Sequence, residues 1–387
     1  MPSILNSDSG AVSGSAGLKF DAADDGILEI QNSGNTAITV ASSGQATFTH
    51  AVSQPGSFMF RNKIINGNFD IWQRGTSQTT SDYGSADRWR CSNSGSTKTA
   101  SQQEFTLGQT DVPGNPKYFM RHVVTSVAGA GNYVLLLQKV EDVNTLAGKT
   151  ATLSFWARAD SNKNIAVECT QDFGTGGSPS AFVTIDPQLV SLTTSWTKYT
   201  ITVDVPSISG KTLGTNGNHC MNCHFWFDAG STYAARSASL GQQSGTFDIA
   251  QVQLEEGSVA TPFEQRPIAA EFNLCTRYFY RMGNGINNYL RYATGEARLS
   301  TEINGVFTLP NILRATPTFS ISSASHFAVA EANVNRTVTS LGISTMPQNC
   351  NWIFFTAAVA SGLTPGRAGQ LISNNTQSSY MDFSAEL

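Results

Sequence analysis

Charge is scarce in this chain. Lys, Arg, Asp and Glu make up 13% of its 387 residues, about half the share of an ordinary soluble protein. The 24 basic and 28 acidic residues leave a net charge of −4, which gives no basic footprint for nucleic acid and no steering to a membrane. No run of apolar residues is long enough to span a bilayer, so no membrane insertion is expected. The start, MPSILNSDSGAVSGSAGLKF, lacks a basic stretch followed by an apolar core. No secretory signal is expected, and folding in a cytoplasm is. Six cysteines are too sparse for a disulfide scaffold. The sequence also lacks GxSxG, HExxH and Walker motifs, and its five histidines show no Ser–His–Asp logic. Glu255 and Glu256 are adjacent, so a strand would send them to opposite faces, and Asp24 and Asp25 sit in a turn. The run Gly174–Gly177 precedes no helical pattern and is no phosphate cradle. The expectation is a protein that is not an enzyme. A glycosidase's carboxylates carry no local signature, so a depolymerase remains an alternative.

Ser, Thr, Asn and Gly take the place of charge, as in chains built of short strands and many turns. Within residues 1–58, Leu18–Phe20, Ile27–Gln31, Ala37–Val40 and Ala46–Thr49 read as strands between DDG, NSGN and SSG turns. Such strands bury too little to stand alone, so this segment is expected to dock in an assembly. SQPGS at Ser53–Ser57 reads as a linker. In residues 59–267, eight strands are expected: Tyr118–Val124, Tyr133–Lys139, Ala151–Ala157, Ile165–Thr170, Phe182–Ile185, Lys198–Val205, Cys223–Phe227 and Phe247–Leu254. That density fits a jelly-roll sandwich. Ile268, Phe272, Cys275 and Phe279 recur at helical spacing after Pro267, which predicts one linking helix within 268–281. Residues 282–387 again show short strands and read as a small β-sandwich. The fold class is all-β.

Two segments bracket the central region, Ile64–Trp89 and Phe247–Pro267. They are expected to lie side by side and close the sandwich. Trp72 and Trp89 are candidate sugar platforms, because aromatic faces stack on the C–H faces of pyranose rings. Core packing is the competing reading for both, and Asp87–Arg88 reads as a structural ion pair or turn. The loops Gln171–Ser180 and Gly230–Gly245, with Asp172, Phe173 and Tyr233, are the other candidate carbohydrate contacts. Asn68, Asp70 and Asp248 offer hard oxygen ligands for a structural Ca²⁺, with cross-strand polar pairing as the alternative. No other cofactor is expected. HCMNCH at His219–His224 has C-x₂-C spacing but no second pair of ligands. If Cys223 opens a strand, His224 and Trp226 share one face, and Cys223, Phe225 and Phe227 the other.

Five segments occur in order: NKIINGNFDIWQRGTS…ADRW, ATLSFWARA, WTKYTITVDVP, FDIAQVQLEEGSVATPFEQRP and CTRYFYRM. Together they resemble the jelly-roll domain of bacteriophage tail-fibre and related virion structural proteins, over about residues 60–282. The same fold is similar to that of carbohydrate-binding modules. SGAVSGSAGLKF…GILEIQNSGNTAITV resembles a segment common at the start of phage virion proteins. The resemblance implies a homotrimeric virion appendage, assembled in the host cytoplasm. Its N-terminal segment would join other virion proteins, and its β-domains would meet host-surface polysaccharide. A head fibre or capsid decoration with a purely structural role is the alternative.

Overall fold

The computed structural model describes residues 17–20, 28–32, 35–40, 46–48, 60–283, 285, 287–344 and 350–387, and strands dominate it. β1 (Gly17–Phe20), β2 (Leu28–Asn32), β3 (Asn35–Val40) and β4 (Ala46–Phe48) pair in order as an antiparallel sheet. The remainder of residues 1–58, including the expected linker, lies outside the described residues.

The central region contains β5 (Ser77–Gln78), β6 (Trp89–Ser94), β7 (Thr97–Glu104), β8 (Tyr118–Thr125), β9 (Tyr133–Glu141) and β10 (Thr150–Ala159). It continues with β11 (Lys163–Asp172), β12 (Val183–Leu192), β13 (Thr197–Asp204), β14 (Cys220–Ala229) and β15 (Gly245–Glu256). One sheet has the order β13-β10-β15-β8-β7-β5, the other β12-β11-β14-β9-β6. All eight expected strands are present. Their inward residues, among them Phe155, Ile165, Val167, Phe225, Phe227, Phe247 and Leu254, form one buried core between the sheets. This is a jelly-roll type of β-sandwich. β6 and β7 were not expected, because WRCSNS and TKTASQQE are polar runs with little apolar alternation.

The two bracketing segments do lie side by side, but the first is not a strand. Its backbone meets β15 through only two ladder-like bonds, Lys63 N–H to Leu254 O (2.7 Å) and Val252 N–H to Gly67 O (2.9 Å). Local turns, such as Phe69 N–H to Asn66 O (3.1 Å), and side chains pair much of the rest. Asn62 Oδ1 accepts from the N–H groups of Ile64 (2.9 Å) and Leu254 (3.0 Å), and its Nδ2 donates to Val252 O (3.1 Å). Gln138, on β9 in the opposite sheet, accepts from Ile65 N–H (2.7 Å) and donates to Ile65 O (2.8 Å). Asn66 holds both polar groups of Ile71 and the carbonyl of Asp87. Thus NGNFDIW is a side-chain-stapled loop spanning both sheets. Gly67 is required for close approach: a Cβ there would stand 2.1 Å from Val252 O.

The helix α1 is shorter than expected, Ile268–Thr276, and Glu271, Cys275 and Thr276 are its buried residues. Ile268 is exposed. Phe279 belongs to the next strand, β16 (Phe279–Met282), so the helical spacing ran past the helix end. There follow β17 (Arg291–Leu299), β18 (Glu302–Thr308), β19 (Thr318–Ile321), β20 (Phe327–Glu331), β21 (Val334–Ile343), β22 (Trp352–Val359), β23 (Ala368–Ser373) and β24 (Met381–Ser384). In place of the expected small sandwich, β17-β18-β22-β21-β20-β23 closes into a barrel, flanked by the sheet β16-β24-β19. The unexpected strands β20 and β23 make the closure, because β23 pairs with both β17 and β20.

Ion pairs join the barrel to the sandwich. Arg88 is 1% exposed; it bonds Glu386, donates to Lys139 O (2.6 Å) and lies 3.5 Å over the Tyr278 ring. Arg74 also bonds Glu386 (3.0 Å) and covers Phe279. Arg277 makes a bidentate pair with Glu141 (2.7 and 2.9 Å), to which Tyr278 also donates. Burial alone would raise the Glu141 pKa, but these hydrogen bonds outweigh it and hold the carboxyl below its ordinary range.

Gly67→Ala is expected to lose about 2–3 kcal/mol of stability in urea denaturation, because the clash is with backbone. The control Gly131→Ala, whose Cβ meets nothing within 4 Å, is expected to stay within about 0.5 kcal/mol of the parent. Equal effects at the two positions would contradict the stapled-loop account.

Candidate functional site

The pattern CMNCHFWFDA makes β14 the middle strand of its sheet, buried along its whole length. Alternation turns Cys223, Phe225 and Phe227 into the core and His224 and Trp226 to the outer face, as expected. Register then sets three outer rows across β11, β14 and β9: Ala166–Trp226–Leu135, Glu168–His224–Leu137 and Thr170–Asn222–Lys139. All of these residues except Lys139 are buried, so this face is covered along the middle of the sheet.

The Trp226 end is built first. Trp226 is fully buried beneath Tyr133 (ring centroids 5.9 Å apart) and Tyr233 (5.3 Å). Its Nε1 donates to Glu168 Oε2 at 3.2 Å. Glu168 is 0% exposed, and Arg236 neutralises it through two bonds of 2.9 Å. The Arg236 guanidinium lies between the rings of Trp226 (5.3 Å) and Phe182 (5.2 Å). Phe182 is 55% exposed, so one ring face at this end remains open to solvent. Arg236 comes from the loop after β14, whose turn Ser231–Tyr233 folds back over the sheet.

The polar row is less complete. Asn222 Nδ2 donates to Thr170 Oγ1 (2.9 Å), which sits 3.4 Å from His224 Nε2. His224 Nδ1 is buried and has no hydrogen-bond partner. Burial lowers the His224 pKa to about 3, and the charges of Arg236 and Lys139 add to the effect. The imidazole is therefore neutral near pH 7 and enclosed beneath this face.

Next to this face the loop Gly230–Gly245 borders a cavity of about 410 Å³. Gly129, Ala130, Gly230, Ser231, Gly241 and Gln242 are among its lining, and none of the lining side chains is charged. Gly230 is fixed there by crowding, since a Cβ would come within 2.4 Å of the carbonyls of Gly129 and Ala130.

The residues expected to contact sugar fall in different places. Trp89 is 0% exposed, stacked on Phe69 at 5.1 Å, with Nε1 donating to Asn66 O (2.9 Å). It is a core residue and cannot be a platform. Phe173 is 1% exposed and equally unavailable. Trp72 is half-buried, packs on the core and bonds Phe69 O. Asp172 is half-buried and caps the turn at Gly174 N–H (2.9 Å). Tyr233 is the one brought to the outer face. Asp87 and Arg88 are structural, as expected: Asp87 binds Gln73, and Arg88 has φ of 70° and joins Glu386.

The residues considered for Ca²⁺ are committed elsewhere. Asp248 is paired with Arg121 (2.7 Å) and Arg158 (2.9 Å), and Asp70 accepts from Asn68 (2.9 Å). Two guanidinium groups already balance Asp248, so a cation there would have to displace them. HCMNCH is split by the strand, with Cys223 facing Cys169 in the core (Sγ to Sγ 3.9 Å) and His224 outside. Among the described residues no three His, Cys, Asp or Glu side chains form a metal-holding group.

No protein-family model and no curated protein matches this chain. Solved structures do. The enzymatically active domain of a bacteriophage CBA120 tailspike protein is 13% identical over 51% of this chain and 22% of its own, with a TM-score of 0.28. A family 11 carbohydrate-binding module from Clostridium thermocellum is 11% identical over 48% of this chain and 98% of its own (0.29). A xylan-binding domain from Paenibacillus barcinonensis is 15% identical over 46% and 98% (0.29). Superposition at this level carries no inference about function.

His122 is buried like His224, stacked 4.6 Å from Phe227, and burial with the nearby Lys98 charge lowers its pKa to about 3. Both imidazoles take up protons near 6.5 when unfolded and only near 3 when folded. In that window the unfolded chain holds more protons, so these groups make stability fall as pH drops. Asp87, raised by burial to about 6, opposes them below that pH. His122→Phe is expected to gain on the parent by up to about 1.4 kcal/mol per pH unit between about pH 6.5 and 3. Urea denaturation at several pH values measures it, and a pH-independent difference would contradict a neutral buried His122.

Proposed function

We propose that the chain is a non-enzymatic virion fibre protein that binds host-surface glycans through the outer face of the β12-β11-β14-β9-β6 sheet. The observation that carries the reading is the ring cluster of Tyr133, Tyr233 and Trp226 beside Arg236, with Phe182 left 55% exposed at its end. Rings for stacking next to neutral hydrogen-bonding groups suit saccharides, whose faces are apolar and whose edges are hydroxyls. The adjoining uncharged cavity and the low overall charge favour neutral sugars at this face. The ordered sequence segments that resemble virion proteins support the fibre role. In this reading the chain is a homotrimer, and the β1–β4 segment joins other virion proteins.

A glycan array of bacterial surface polysaccharides, probed with the whole chain, is expected to show selective binding. Phe182→Ala and Tyr233→Ala are expected to weaken it at least about tenfold, with an unchanged far-ultraviolet spectrum. Binding that survives both substitutions, or no binding to any envelope glycan, would refute the reading. Released oligosaccharide after incubation with capsule would instead favour a depolymerase.

A further inference from the structure

The barrel carries a second cavity, of about 550 Å³, on its outer surface over β20, β23 and β17. Register explains it. One outward row runs Asn335–Ala330–Gln370–Thr294 across β21, β20, β23 and β17, and the next runs Thr337–Ala328–Ile372–Arg291. Alternation sends Phe327, Val329 and Leu371 into the barrel core and leaves alanine outward on β20. Ala330, Ala332 and Ala368 therefore floor a depression between longer side chains. The hairpin between β20 and β21 turns at Ala332 (φ 50°) and Asn333 (φ 65°), which raises Asn333 at one side.

Tyr289 stands at the other side and is 51% exposed. Arg291 is held in place by its Nε donating to Gln370 Oε1 (2.9 Å), and no hydrogen bond or ion pair engages its terminal nitrogens among the described residues. Arg291 is the one charged side chain of the lining. The lining thus offers one aromatic face, one oriented guanidinium and the amides of Asn333, Asn335 and Gln370, with no carboxylate to compete for the cation. An oriented guanidinium recognises a carboxylate by paired hydrogen bonds, and an exposed phenol ring stacks on a sugar ring.

We propose that this groove is a binding site for a carboxylate-bearing saccharide, separate from the sandwich face. The sugar ring rests against Tyr289, its carboxylate meets Arg291, and its hydroxyls bond the amides. The inference does not depend on the sandwich face binding anything, because the two sites share no residue.

The test is titration calorimetry of the whole chain with oligogalacturonate, and with maltohexaose as a neutral probe. Oligogalacturonate is expected to bind and maltohexaose to bind at least about tenfold more weakly at this site. Tyr289→Ala and Arg291→Ala are each expected to weaken oligogalacturonate at least tenfold, and Phe182→Ala to leave it unchanged. Both groove positions are at the surface, and thermal melting checks that the variants fold. Oligogalacturonate failing to bind, binding no better than the neutral probe, or binding unaffected by Arg291→Ala in a folded variant would overturn the proposal.

Discussion

The segment 62–71 lies beside β15 with only two ladder bonds to it, and the side chains of Asn62, Asn66 and Gln138 pair much of its remaining buried backbone. Buried N–H and C=O groups must find partners, and here amide side chains serve in place of a ladder. Because Asn62 reaches β15 and Gln138 belongs to β9, the same loop ties the two sheets to each other. The loop leads on to Arg74 and Arg88, which bind Glu386. One stretch of sequence thus ties the two sheets together and reaches their junction with the C-terminal region.

The fold was legible where apolar alternation was strong. β10, β11, β13, β14 and β15 alternate, and their positions follow from that alone. β6, β7, β20 and β23 were not legible, because their residues are polar or small and their pairing is decided by neighbours far away in sequence. The barrel depended on β20 and β23, so its closure was hidden too. Among candidate site residues the aromatic ones misled. Trp89 and Phe173 sit near turns and glycines but point inward, and sequence cannot show which face of a short edge segment is inside. For His224 and Trp226 the alternation of CHFWF gave the outer face correctly. Phe182, Glu168 and Arg236 were missed because they meet only through sheet register and a returning loop.

The low charge now has a structural reading. Some of the ion pairs lie in the junction between sandwich and barrel, and Glu168–Arg236 supports the candidate face. These are buried or half-buried pairs, which hold geometry more than they add net stability. Exposed pairs such as Lys149–Glu256 and Arg298–Glu302 are few, and much of the remaining surface is neutral and polar. The exception is the barrel groove, where Arg291 has no acidic neighbour in the lining.

The most direct test of glycan binding by the sandwich is hydrogen exchange on the whole chain, with and without a saturating surface polysaccharide. Slower amide exchange in β11, β14 and the loop Gly230–Gly245 is the predicted result. A saturated complex in which those three segments exchange at unchanged rates would contradict it.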